Sequence, residues 1–164
     1  MNLEELNAAP AEQLQATLLA CCDVPSWARA VVEARPYADV DALLETADKA
    51  ARSLTPDEVD RALAAHPRIG EHAEGSDTGA AWSRQEQSGV SRDDRTRAEL
   101  VGANRDYEER FGHVFLICAT GLSAEEILAA ARQRLGNDDA TEAAVVADEL
   151  RRIALLRLGK VLAE

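Results

Sequence analysis

At 164 residues the chain has the length of one domain, and folding should bury roughly 70% of its unfolded surface without disulfide or metal staples. It carries 18 Lys and Arg against 30 Asp and Glu, a formal charge of −12 that repels phosphate backbones and anionic lipid and argues against nucleic-acid and membrane-surface roles. Hydrophobic residues at 46% argue against disorder, and aromatics at only 4% beside abundant Ala, Leu, Arg and Glu favour helix.

The start, Met1-Asn2-Leu3-Glu4-Glu5, has neither the basic nor the apolar region of a secretion signal, and no stretch has the apolar length of a membrane helix. Leu14, Leu18 and Leu19 have helical spacing, with a break before Pro25. A second helix is predicted over 26–34 with Trp27, Val31 and Val32 inward, and a third over 40–53 with Leu43, Leu44, Ala47 and Ala51 on one face. Thr55-Pro56-Asp57-Glu58 is the clearest helix start: a capping threonine, proline at the first position and glutamate three after the cap. That helix is expected to run to about His66, before Pro67. Gly70, Gly75 and Gly79 mark a loop over 68–80, long enough to be functional.

A short helix is expected from Ser83, and a long one over 93–111 with Leu100, Val101, Tyr107 and Phe111 inward. The apolar run 114–118 is too short for a core helix and is predicted to be extended. Ser123-Ala124-Glu125-Glu126 is a second capping box, opening a helix that ends at Gly136-Asn137, and a last helix is predicted over 139–162. The fold class is all-α: a single-domain bundle over 1–164 with about eight helices and no significant sheet. Three cysteines, Cys21, Cys22 and Cys118, give neither a disulfide framework nor a zinc pattern, so a reducing cytoplasm is expected.

Polar residues on apolar stripes carry more information about function than the core does, because an unpaired buried polar group costs about 1–3 kcal/mol. His66 continues the face of Val59 and Leu63 at a helix end whose negative pole favours an imidazolium, as suits a proton donor; a core histidine with satisfied partners fits the same spacing. Glu86 in Ser83-Arg84-Gln85-Glu86-Gln87 reads as the glutamate of a capping box, at a helix start that would also suit an anion. With Val146 at 0° on a helical wheel, Arg157 falls at about 20°, inside the apolar stripe, and needs a carboxylate from the protein or from a substrate. Asn104, between Val101 and Tyr107, fits a helix-tethering amide. His66, Glu71 and His72 lack the spacing of a metal motif, and no nucleophile elbow or phosphate loop is present.

Taken jointly, His66-Pro67-Arg68-Ile69-Gly70, Ser83 to Gln87, and Asn104-x-x-Tyr107-x-x-Arg110-Phe111-Gly112-His113-x-Phe115-x-Ile117-Cys118 make the chain resemble the OHCU (2-oxo-4-hydroxy-4-carboxy-5-ureidoimidazoline) decarboxylases. Arg35-Pro36-Tyr37, Leu135-x-Asn137 and Leu156-Arg157-Leu158 extend the likeness to nearly the whole chain. The resemblance implies an all-α homodimer that forms (S)-allantoin from a small ureide with no metal or organic cofactor. It implies His66 as acid/base and Glu86 as its polar partner. It further implies substrate contacts from Pro67, Ser83, Arg84, Gln85, Glu86, Gln87, Phe115, Leu116, Ile117, Cys118, Ala119 and Arg157, those of 115–119 largely through backbone. The alternatives are a non-catalytic helical module that binds a protein partner through its surface and, more distantly, a hydrolase acting on the preceding ureide.

Overall fold

The computed structural model of the chain describes residues 1–70, 78–88 and 94–164. Among them every regular element is a helix: α1 (Leu3–Ala8), α2 (Ala11–Cys21), α3 (Pro25–Glu33), α4 (Val40–Arg52), α5 (Pro56–Ala64), α6 (Thr78–Glu86), α7 (Asp94–Phe111), α8 (Ala124–Arg134) and α9 (Asp139–Ala163). The all-α expectation is met. No described helix is long and apolar enough to cross a membrane.

The helix starts follow local chemistry. Thr55 accepts from the Glu58 N–H while Glu58 accepts from that of Thr55, with Pro56 at the first helical position. Ser123 and Glu126 make the same reciprocal pair ahead of α8, and Asp39 caps α4 through the Ala42 N–H at 2.8 Å. Other expectations are corrected. Helix α6 begins at Thr78, so Ser83 is a buried residue inside it rather than its cap, and 78–80 are helix rather than loop. Val101 is 56% exposed: the buried stripe of α7 runs through Leu100, Ala103, Asn104 and Tyr107, and Val101 lies off it. The rest of the expected loop, 71–77, and Asp93 lie outside the described residues.

The chain divides into two compact units, Met1–Ala65 with Leu150–Glu164, and His66–Glu149. In the first, Leu6, Leu14, Leu18, Trp27, Val31, Leu43 and Ala47 are buried with Ile153, Leu158 and Val161. Polar groups are satisfied locally there: the Trp27 indole donates to the Ala47 carbonyl at 3.0 Å, and the Arg35 guanidinium reaches the carbonyls of Leu6 and Ala9 at the end of α1. In the second, Ile69, Leu100, Tyr107, Phe115, Ile117, Ala119, Ile127 and Leu128 belong to one apolar cluster. Isolated, marginally stable helices are held mainly by such burial.

Candidate active site

The site builds up within His66–Glu149, on three pieces of backbone. The first is His66 to Gly70, which follows α5. The helix ends at Ala64, so His66 stands two residues beyond it, half-buried rather than on its buried face. Three side chains hold the segment that follows. Asn104 donates to the Ile69 carbonyl at 2.8 Å, Gln87 accepts the Gly70 N–H at 3.0 Å, and Arg68 pairs with Glu108 through two hydrogen bonds of 2.6 and 3.3 Å. Asn104 is thus the tether its position suggested. Gly70 sits at φ +90°, a conformation that favours glycine and turns the chain after Ile69 has entered the core.

The second piece is the end of α6. Ser83 is buried, Arg84 and Gln85 are exposed, and Glu86 and Gln87 are half-buried. Glu86 is the last residue of α6, so the helix start that a capping role and an anion site would have used is absent at this position. Gln87 lies one residue further and joins this piece to Gly70.

The third piece, 114–119, is neither helix nor strand, and Phe115, Leu116, Ile117 and Ala119 are buried with Cys118 half-buried. Its peptides are anchored by charged side chains. Arg134 at the end of α8 donates to the Leu116 carbonyl at 2.7 Å, and Glu149 of α9 accepts the Cys118 N–H at 2.8 Å. A trans peptide is planar, with its C=O and N–H on opposite sides. Holding the Leu116 oxygen therefore aims the Ile117 N–H away from Arg134, and holding the Cys118 N–H aims the Ile117 C=O away from Glu149. Among the described residues neither Ile117 group has a protein partner.

Arg134 was not singled out by sequence, nor was Glu142, its partner. Glu142 is only 1% exposed and receives the Arg134 Nε at 2.8 Å, the Tyr107 hydroxyl at 2.6 Å and the Asn137 amide at 3.1 Å. Burial alone would raise its carboxyl, but these hydrogen bonds and the Arg134 charge hold it below the ordinary range. Burial first, and then the Glu142 carboxylate, push the Tyr107 phenol up, keeping it a donor. The signal was available. Glu142 lies four residues before Val146 on the α9 stripe, and Arg134 lies seven after Ile127 on that of α8.

Arg157 belongs to the other unit. It is buried, as the wheel required, and donates to the Ala20 carbonyl at 3.0 Å. Among the described residues no group of three or more His, Cys, Asp or Glu is arranged to hold a metal.

An all-α chain with a tethered His-Pro segment and a backbone edge built beside a buried ion pair defines the class of site. The family model for OHCU decarboxylase matches residues 7–159, across both units, and the chain belongs to that family. It is 30% identical over 129 residues to a 2-oxo-4-hydroxy-4-carboxy-5-ureidoimidazoline decarboxylase of Haloferax volcanii, covering 77% of this chain and 74% of that protein. It is 26% identical over 168 residues to a uric acid degradation bifunctional protein of Bacillus sp. (strain TB-90), of which it spans only 33%. A crystal structure of an OHCU decarboxylase in the presence of (S)-allantoin superposes with a TM-score of 0.76 at 26% identity, covering 89% of this chain and 96% of that one.

Proposed function

We propose that this chain decarboxylates 2-oxo-4-hydroxy-4-carboxy-5-ureidoimidazoline to (S)-allantoin and CO₂ in urate degradation. The observation that carries the reading is the family match over 7–159. The reading is supported by the tethering of the His66–Gly70 segment and by the N–H and C=O of Ile117, which have no partner among the described residues.

The substrate carries its own electron sink. Its carboxylate sits on a ring carbon that also bears a hydroxyl and adjoins a C=N carbon. As the carbon–carboxylate bond breaks, its electron pair forms a C=C bond and the C=N pair moves onto nitrogen, which takes a proton. The hydroxyl then loses its proton to become a carbonyl, and the ureido-bearing carbon gains one. The protein's task is to hold the carboxylate out of the ring plane, stabilise the enol-like anion and deliver that proton to one face.

In this scheme His66 hydrogen-bonds the ring hydroxyl and transfers the proton, and Glu86 orients His66 or binds the ureido N–H groups. Pro67 shapes the wall beside them. Ser83, Arg84, Gln85 and Gln87 belong to the substrate-contacting stretch, within which Gln87 also holds Gly70. Ile117, in the stretch Phe115, Leu116, Ile117, Cys118 and Ala119, offers one donor and one acceptor to the amide-like edge of the ring. Arg157 is assigned to the substrate's carboxylate or a ring carbonyl. We take the chain to act as a cytoplasmic homodimer, which sedimentation velocity and cell fractionation test.

The decisive assay is circular dichroism on substrate generated in situ from urate by urate oxidase and hydroxyisourate hydrolase. Spontaneous decay gives racemic product, so a rapid (S)-allantoin signal reports catalysis. His66→Ala should lower turnover by about 10²-fold or more with helical content intact. Slow, racemic product with the wild-type chain would instead favour a fold kept for partner binding.

A further inference from the structure

We propose that Arg134 is a positioning residue for the decarboxylation: fixed by Glu142, its guanidinium sets the Leu116 carbonyl and thereby the direction in which Ile117 presents its N–H to the substrate. The proposal rests on the decarboxylase reading for what Ile117 meets, and on geometry for the rest.

The guanidinium has little freedom. Nε and Nη2 both donate to Glu142 Oε1, at 2.8 and 2.5 Å, which fixes the plane of the fork. Its face lies over the Phe115 ring, 4.6 Å from the centroid, and it stands 5.7 Å from that of Tyr107. Glu142 is itself held by Tyr107 and Asn137. The remaining nitrogen, Nη1, is left to point at the Leu116 oxygen at 2.7 Å. Peptide planarity carries that constraint across to Ile117.

Stability alone is a poor reason for the arrangement. A buried ion pair costs both ions their hydration, and well-packed apolar replacements are often as stable or more so. A buried arginine that ends on a carbonyl in an irregular segment has a different use. It orients a backbone that no helix or sheet ladder orients, and Glu149 does the same two residues on through the Cys118 N–H.

Removing Arg134 alone would strand Glu142 as an unpaired buried charge, so the informative variant replaces the network together: Tyr107→Phe, Arg134→Met and Glu142→Leu. Three readouts are taken on it and on the wild type: helical dichroism with melting, amide exchange across 115–134, and kcat and KM with the enantiomer formed. The fold should survive. Protection of the Cys118 amide should fall about tenfold while the amides of α8 keep theirs. KM should rise about tenfold, kcat should fall less, and some (R)-allantoin should appear. Arg134→Lys, which keeps the charge and loses the fork, should fold and show the same KM-weighted loss. A folded triple variant with unchanged Cys118 protection would overturn the proposal whether or not the wild type is active. So would loosened protection with unchanged KM and enantiomer in an active enzyme. An inactive wild type would remove the decarboxylase reading, and the amide exchange would still decide whether Arg134 orders this backbone.

Discussion

Cys21 and Cys22 adjoin in the chain and are 1% and 6% exposed. Burial pushes both thiols up to about 12, more than the nearby Arg157 guanidinium brings them down, and Asp23 adds to the rise at Cys22. The thiolate is the reactive form, so both should be inert at neutral pH although they are neighbours. Cys118 is half-buried. Native protein treated with iodoacetamide at pH 8 and mapped by peptide mass should therefore carry label at Cys118 first, with Cys21 and Cys22 labelled only after unfolding. Early labelling at Cys21 or Cys22 would mean that α2 opens far more readily than its burial implies.

At the scale of elements, the capping box ahead of α5 is exposed and lies outside the site, so it tests stability apart from activity. Thr55→Ala should cost about 1 kcal/mol and lower the melting temperature by about 3 °C, with kcat and KM unchanged. The two boxes at Thr55 and Ser123 were legible in the sequence because a cap is a local device: four consecutive residues contain both partners. The start of α6 was not. Ser83 and Glu86 have the spacing of a cap, yet the helix begins at Thr78 and buries Ser83. A local pattern cannot say whether a helix is already under way. Val101 failed for a related reason: on the helical wheel it lies just beyond Asn104, the edge of the stripe through Leu100, Ala103 and Tyr107, and local spacing cannot say how wide a stripe the packing will cover. Arg157 was legible as a buried arginine, but its carbonyl partner 137 residues away was not. The Arg134–Glu142 pair joins α8 to α9 and serves a segment eighteen residues upstream of Arg134, so its purpose appears only once the three meet.

For the whole molecule, pH sets two electrostatic effects against each other. With a formal charge of −12 at pH 7, acidification first relieves self-repulsion and should stabilise the fold slightly. Protonating Glu142 then works the other way. Its carboxyl is held below the ordinary range in the folded protein, so the unfolded chain takes up this proton first. The pair's contribution is complete above the unfolded carboxylate value and is lost as pH falls through the folded one. Asp48, Glu58 and Asp138 are also held low, by hydrogen bonds from Arg52 and Arg151, from Ser26 and Thr55, and from Thr141, but water reaches all three and screens what they contribute. Among the described carboxylates held low, Glu142 alone is buried, so the acid limb should belong mainly to it. Melting temperature followed by dichroism should be flat or rise slightly from pH 7 to about 5, then drop steeply below about 4. In the Tyr107→Phe, Arg134→Met, Glu142→Leu variant the rise should remain and the drop should be shallower. An equally steep drop in that variant would place the acid sensitivity in the summed charge of the surface rather than in the buried pair.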